Sequence, residues 1–319
     1  MHDPTMSLTS FSIREQLGPI VFSFRDASGA DHEFRLDNPR LFPISEFPRR
    51  AADELGVDTV ETVGFHFQGL GDPEIDLFEQ GLKDSGTSLL NICLDLGDLS
   101  DTDDDRRAAD VELTERWIDR FAAMGSRFVR VNPASPFAVF DDGLPPAHLV
   151  DTLGALGDYA TSRGTRLLVE NHVGASSDPA WMSVLLESVG HDRLGLLLDL
   201  GNFPALRAGL ETLRMAEGRT PTDAELKAVA ATLELESLYA GILALAPYAE
   251  MISVKEHLVL EDGTIGFVDL ARAAGNIVSA GFDGPWSVEY EGFGGDPWAK
   301  SRRVLEATRE IVSGLRVGA

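Results

Sequence analysis

The sequence predicts an α/β protein folded as a (β/α)8 TIM barrel in one domain, residues 1–319. Three observations lead there. Short apolar strands alternate with amphipathic helices along nearly the whole chain, and several strands are near-continuous runs of Val, Ile and Leu. Such runs suit strands buried on both faces of a parallel sheet. Eight strands can be traced in this alternation, the number that closes a barrel. Finally, the first strand runs into SFRDASGADHEF, which lacks the GxGxxG phosphate turn usual in an open doubly wound sheet. No nucleotide cofactor is therefore expected.

Taken in order, the expected strands are GPIVFSF (18–24), VDTVETV (57–63), SLLNICL (88–94) and RFVRVN (127–132). They continue with RLLVEN (166–171), LGLLLDL (194–200), EMISVKE (250–256) and PWSVEYE (285–291). Helical periodicity fills the intervals, as in ADVELTERWIDRFAAMG, PAHLVDTLGALGDYATSRG, DPAWMSVLLESVG and TPTDAELKAVAATLELESLYAGILAL. Residues 1–17 read as an N-terminal extension, and 203–247 as a long helical connection between strands six and seven. The run GDLSDTDDDRR (97–107) reads as a solvated loop feeding a helix N-terminus, where acidic side chains meet the positive end of the helix dipole.

Charge limits the partners. There are 52 acidic against 27 basic residues, a formal net charge of −25. Such a surface repels phosphate backbones and anionic membranes but tolerates a small neutral sugar or polyol and favours bound cations. The lone cysteine, Cys93, excludes an internal disulfide and a cysteine-based zinc cluster, and its apolar surroundings predict a buried core thiol. The N-terminus has no basic segment followed by an apolar one, and no apolar run approaches the roughly 18–20 residues of a membrane span. A cytoplasmic protein is expected.

Barrel enzymes carry their chemistry at the C-terminal ends of the strands. Those ends supply Glu61 and His66, Arg130 and Asn132, Glu170, Asn171 and His172, and Asp199 and Asn202. The last two strands supply Ser253, Lys255 and His257, then Glu289 and Glu291. Glu170, Asp199 and Glu289 each directly follow an apolar strand: LLVE, LLLD and WSVE. Three converging carboxylates repel one another and call for a compensating cation, either a divalent metal or a lysine. Because alternate strand residues share a face, Ser253, Lys255 and His257 should point the same way. Trp286 and Trp298 could wall a sugar ring or serve only the core.

In order and spacing, VENHVG, LLLDLGNF, ISVKEH and WSVEYEG resemble the xylose isomerase-like sugar phosphate isomerase/epimerase family. The resemblance spans residues 50–312 and is strongest over 166–292. It implies a divalent metal (Mn, Mg, Co or Zn) held by Glu170, Asp199 and Glu289, and a sugar or keto-sugar substrate. It further implies Glu170 and Glu289 as the base and acid that move a proton α to a carbonyl. Lys255 is then a third catalytic group, and His66, His172, Asn202 and His257 are substrate-binding candidates. Two departures stand out. Ser253 occupies the position of the family's usual strand-seven histidine ligand, and Asn202 replaces a histidine after strand six. An isomerase or epimerase is the leading expectation. A keto-inositol dehydratase, the α-type subunit of a C-glycoside deglycosidase and a non-catalytic sugar-binding barrel are the alternatives. The family also makes a homo-oligomer or a partner subunit an expectation.

Overall fold

The computed structural model describes residues 3–26, 30–140, 142–214 and 220–317. Its elements follow one another as β1 (Met6–Thr9), β2 (Ile20–Arg25), β3 (Asp31–Leu36), α1 (Phe47–Leu55) and β4 (Thr59–Val63). Then come α2 (Glu74–Ser85), β5 (Ser88–Leu94), α3 (Asp104–Ala123), β6 (Phe128–Val131), α4 (Ala147–Ser162) and β7 (Arg166–Glu170). The next are α5 (Pro179–Val189), β8 (Gly195–Asp199), α6 (Pro204–Arg214), α7 (Asp223–Ala230) and α8 (Glu236–Leu245). The chain finishes with β9 (Ala249–Glu256), α9 (Leu270–Ser279), β10 (Trp286–Tyr290) and α10 (Pro297–Val317).

Eight parallel strands close a barrel in the order β1-β10-β9-β8-β7-β6-β5-β4, with β4 pairing back to β1. Helices pack outside it. Apolar residues such as Leu167, Val169, Leu196, Leu198, Ile252 and Val254 are buried between wall and helices. Inside, Leu90, Phe128, Leu168, Leu197 and Met251 form a separate apolar layer. This layer is the floor of the site. Two residues further along four of these strands, on the same face, stand Arg130, Glu170, Asp199 and Ser253, and two further still on β9 stands Lys255.

The expected first strand is corrected. Residues 20–25 are not in the barrel wall; they pair antiparallel with 31–36 as a two-stranded ribbon, Phe22 opposite Phe34 and Phe24 opposite His32. The barrel strand is instead Met6–Thr9, inside the stretch expected to be an extension. Residues 1–2 of that stretch lie outside the described residues. Ile20, Phe22 and Phe24 alternate with Val21, Ser23 and Arg25, the pattern of a half-covered ribbon rather than of a strand buried on both faces. The connection 203–247 is mostly helical where described, residues 215–219 lying outside, but TPTDAELKAVAATLELESLYAGILAL is not one helix. A turn and irregular residues at 231–235 separate α7 from α8. The acidic run behaves as expected at its end: Asp103 caps α3, accepting from the N–H groups of Asp105 and Arg106. Among the described residues no helix is long and apolar enough to cross a membrane.

Candidate active site

A cavity of about 780 Å³ opens at the C-terminal mouth of the barrel. Glu170, His172, Asn202, Lys255, His257, Glu289 and Glu291 all line it. At its centre lies the ammonium of Lys255, 3.1 Å from Asp199 Oδ2, 3.3 Å from Glu289 Oε1 and 3.2 Å from Glu291 Oε1. Strand register produces this. Lys255 is level with Glu289 across β9–β10, while Ser253 is level with Asp199 across β8–β9. Ser253 Oγ donates to Glu289 Oε2 at 3.1 Å. Glycine at 201 leaves room for the lysine stem, since a Cβ there would sit 2.8 Å from Lys255 Cγ.

Burial alone would drive the proton off Lys255, but Asp199, Glu289 and Glu291 outweigh it and hold the ammonium firmly charged. The two glutamates at the end of β10 are pushed in opposite directions. Burial, with Glu291 and Asp199 nearby, raises the Glu289 carboxyl well above the usual carboxylate range despite Lys255. Glu291 goes the other way: burial opposes its charge, yet Lys255, His257 and Arg14 hold it well below that range. Asp199 is raised to about 6, chiefly by burial. Its main-chain neighbours fix it in place, with Gly201 N–H donating to Asp199 Oδ1 at 2.7 Å and the Asn171 amide bridging to the Asp199 backbone.

Glu170 faces a second cation. Arg130 Nε lies 2.8 Å from Glu170 Oε2, and Arg130 Nη1 donates to Asp95 Oδ1 at 2.7 Å and to Asn132 Oδ1 at 3.0 Å. Asn202 Nδ2 donates to Glu170 Oε1 at 2.9 Å, and Lys255 Nζ reaches Asn202 Oδ1 at 3.5 Å. Asn202 is thus the link between the two cation centres. Deeper in, Glu61 is buried beside Cys93, whose thiol donates to Glu61 Oε1 at 3.4 Å. Burial raises the Glu61 carboxyl to about 7.

In this structure the three residues expected to hold a metal are engaged by cations of the chain itself. Glu170 is turned to Arg130 and Asn202, and Asp199 and Glu289 converge on the Lys255 ammonium, which stands where a shared cation would be. Among the described residues no group of three or more His, Cys, Asp and Glu side chains is arranged to hold a metal ion. The residues as placed do not fit a divalent ion.

The other expected residues divide. His172 lines the cavity, and burial lowers it to about 4, so it is neutral near pH 7. His257 lines it too, its Nδ1 lying 3.3 Å from the Glu291 carbonyl oxygen. His66 does not line the cavity. It ends a short turn just after β4 with its Nε2 buried, and burial, with Arg14 and Arg40 nearby, lowers it to about 3. Trp286 and Trp298 also lie elsewhere, Trp286 packed edge-on to Phe282 and Trp298 against Phe42 and Phe47. Cys93 is buried, but it faces the barrel interior beside Glu61 and not the outer core. Asp95 went unrecognised, although an acid directly after the apolar run SLLNICL is the same signal that marks Glu170. Six phenylalanines at the mouth, Phe11, Phe22, Phe24, Phe34, Phe65 and Phe137, were also missed.

Residues 49–310 match the model of the xylose isomerase-like TIM barrel family. The chain belongs to that family. Among solved structures it is similar to an L-ribulose 3-epimerase at 16% identity and a TM-score of 0.65, with 98% of this chain and 96% of that one covered. It is also similar to a xylose isomerase-like TIM barrel protein from Mycobacterium smegmatis in complex with magnesium. That match has 17% identity, a TM-score of 0.59 and 98% coverage of both chains. A D-allulose 3-epimerase from Methylomonas sp. matches at 14% identity and a TM-score of 0.61, covering 98% and 99%. At these identities the likeness is one of fold. No curated protein matches the chain.

Proposed function

We propose that this protein is a sugar or keto-sugar isomerase or epimerase that moves a proton α to a carbonyl. The observation that carries the reading is one charged ammonium, Lys255, set between carboxyl groups of opposite protonation tendency in a single cavity. The names of the neighbouring epimerases are in keeping with it. Glu170 on β7 and Glu289 at β10 are separated around the wall by β8 and β9, which carry Asp199 and Lys255. A substrate seated over Lys255 would therefore have a carboxyl group on either side.

In this mechanism Glu170 takes the proton from the carbon next to the carbonyl, and the C–H electron pair moves to form the enediolate. Lys255 holds the developing oxyanion, a fixed charge in a site shielded from water. Glu289, whose carboxyl is raised well above the usual carboxylate range by burial, acts as the acid: it returns a proton to the same carbon from the other face, or to the neighbouring carbon as the hydroxyl proton passes between the two enediolate oxygens. The first outcome is epimerisation; the second leads to the isomer. Asp199 and Glu291 keep the lysine charged and aimed, and His172, Asn202 and His257 meet the substrate's hydroxyl groups.

The test is proton exchange. Ketopentoses, ketohexoses and 3-keto sugars incubated with the protein in D₂O should gain carbon-bound deuterium α to the carbonyl. Glu289→Gln and Lys255→Met should each lower the rate by at least about 10²-fold, the scale of a lost acid or oxyanion donor. Lys255→Met should also leave the carboxylates without their cation and make the melting temperature rise on adding Mn²⁺, which the unmodified protein should ignore. Absence of exchange with every carbonyl sugar, in protein that is folded, would exclude the assignment.

A further inference from the structure

The cavity is of two kinds. Its inner end carries the charged groups, whereas its outer end is aromatic: Phe22 and Phe24 of β2, Phe34 and Leu36 of β3, and Phe11, Phe65 and Phe137 around them. The rings pack in two groups. Phe22 meets Phe65 edge-on at 4.5 Å between centroids and Phe34 at 6.3 Å, and Phe24 lies 5.4 Å from Phe137. Yet Phe34 is 55% exposed, Phe137 45% and Phe24 37%. Large rings that the folded chain itself leaves uncovered are informative when they adjoin a site.

Two features suggest what covers them. The rings line the same cavity as Lys255 and Glu289 rather than an outer face of the barrel. The cavity also far exceeds a free sugar. At about 780 Å³ it lies in the upper part of the roughly 300–1,000 Å³ range of pockets that enclose drug-sized ligands. A monosaccharide over Lys255 would leave the outer, aromatic part filled with water. The ribbon is also held in place for a ligand to press against, because Arg25 Nη1 pairs with the buried Asp101 at 2.9 Å.

Resting on the proposed function, we propose that the substrate is amphipathic: a sugar or polyol unit at the carboxylates, joined to a flat apolar group, such as an aryl ring, that stacks beneath the β2–β3 ribbon. The charged end performs the chemistry, and the aromatic end supplies affinity. The ring faces select for planarity and apolar area, so a methyl substituent in the same place gains little.

Matched aryl and methyl glycosides (4-nitrophenyl and methyl derivatives of glucose, galactose, mannose, xylose and arabinose) titrated into the whole protein by calorimetry test this. In at least one pair the aryl member should bind about tenfold or more tightly, the scale of one or two good aromatic contacts. The variant carrying Phe24→Ser and Phe34→Ser should bring that ratio near one with its melting temperature intact, since both rings are exposed. Equal or undetectable binding across every pair would overturn the proposal. So would sedimentation showing a dimer that the double variant dissociates, because the rings would then belong to an interface between copies. The two readings fail separately. Deuterium exchange without an aryl preference removes only the amphipathic substrate, and an aryl preference without exchange removes only the isomerase.

Discussion

Glu61 shows what one buried carboxyl does to this fold. It sits at the base of the cavity beside Cys93 of β5, and its pKa rises from about 4.5 to about 7 because burial penalises the charged form. Between those values the folded chain holds a proton that the unfolded chain has lost. Stability therefore falls as pH rises through that window, and the penalty is complete above about 7. Glu61→Gln keeps the shape and removes the ionisation. The variant should be nearly equal to the parent at pH 5 and more stable at pH 8 by roughly 2–3 kcal/mol, measured by urea unfolding at both pH values. A constant difference across pH would mean that Glu61 is not the titrating group. Single residues were the most legible feature of the sequence where a charged group ends an apolar strand: Glu170, Asp199, Lys255 and Glu289 all line or bound the mouth. Their partners were not legible. That the Lys255 ammonium reaches both Asp199 and Glu289, and that Arg130 faces Glu170, depends on the register of neighbouring strands, which a run of residues does not encode.

At the scale of elements, seven barrel strands could be read because each is a buried apolar run between a helix end and a polar residue. The eighth, MSLT, offers only four residues and two apolar side chains, too few to stand out. GPIVFSF, more apolar, took its place in the reading, and the ribbon was missed because its partner DHEFRL is polar at alternate positions. The ribbon's attachment gives a prediction. Asp101 is held by Arg25 and by Arg106, whose Nε donates to it at 2.8 Å, and these donors lower its carboxyl far below the usual range. Arg25→Ala removes the tie from the ribbon side and leaves Asp101 with Arg106. Amide hydrogen exchange across residues 20–25 and 31–36 should accelerate by about tenfold or more, with the barrel strands unchanged. Equal protection would show that the aromatic packing alone fixes the ribbon.

For the molecule as a whole, charge is the dominant variable. A net charge of −25 on 319 residues makes the folded surface repel itself, and dissolved salt weakens that repulsion beyond a Debye length of about 8–10 Å. Exposed ion pairs such as Lys227–Asp262 and Arg35–Asp37 lose little on screening, since such pairs contribute about 0–1 kcal/mol each. The melting temperature should therefore rise between 20 mM and 500 mM NaCl, followed by circular dichroism. A fall would mean that attractive pairs outweigh the net repulsion.

The last two residues of β9 are a base and an acid on opposite faces: Lys255 points into the cavity, and Glu256, buried on the other face beside Gly266, carries a carboxyl raised well above its usual range. A slip of one residue along β9 would exchange them. The ammonium would leave, and a further acid would enter a chamber already holding Asp199, Glu289 and Glu291. This pair of residues thus ties the register of the barrel to the charge balance of its chamber before any substrate is present.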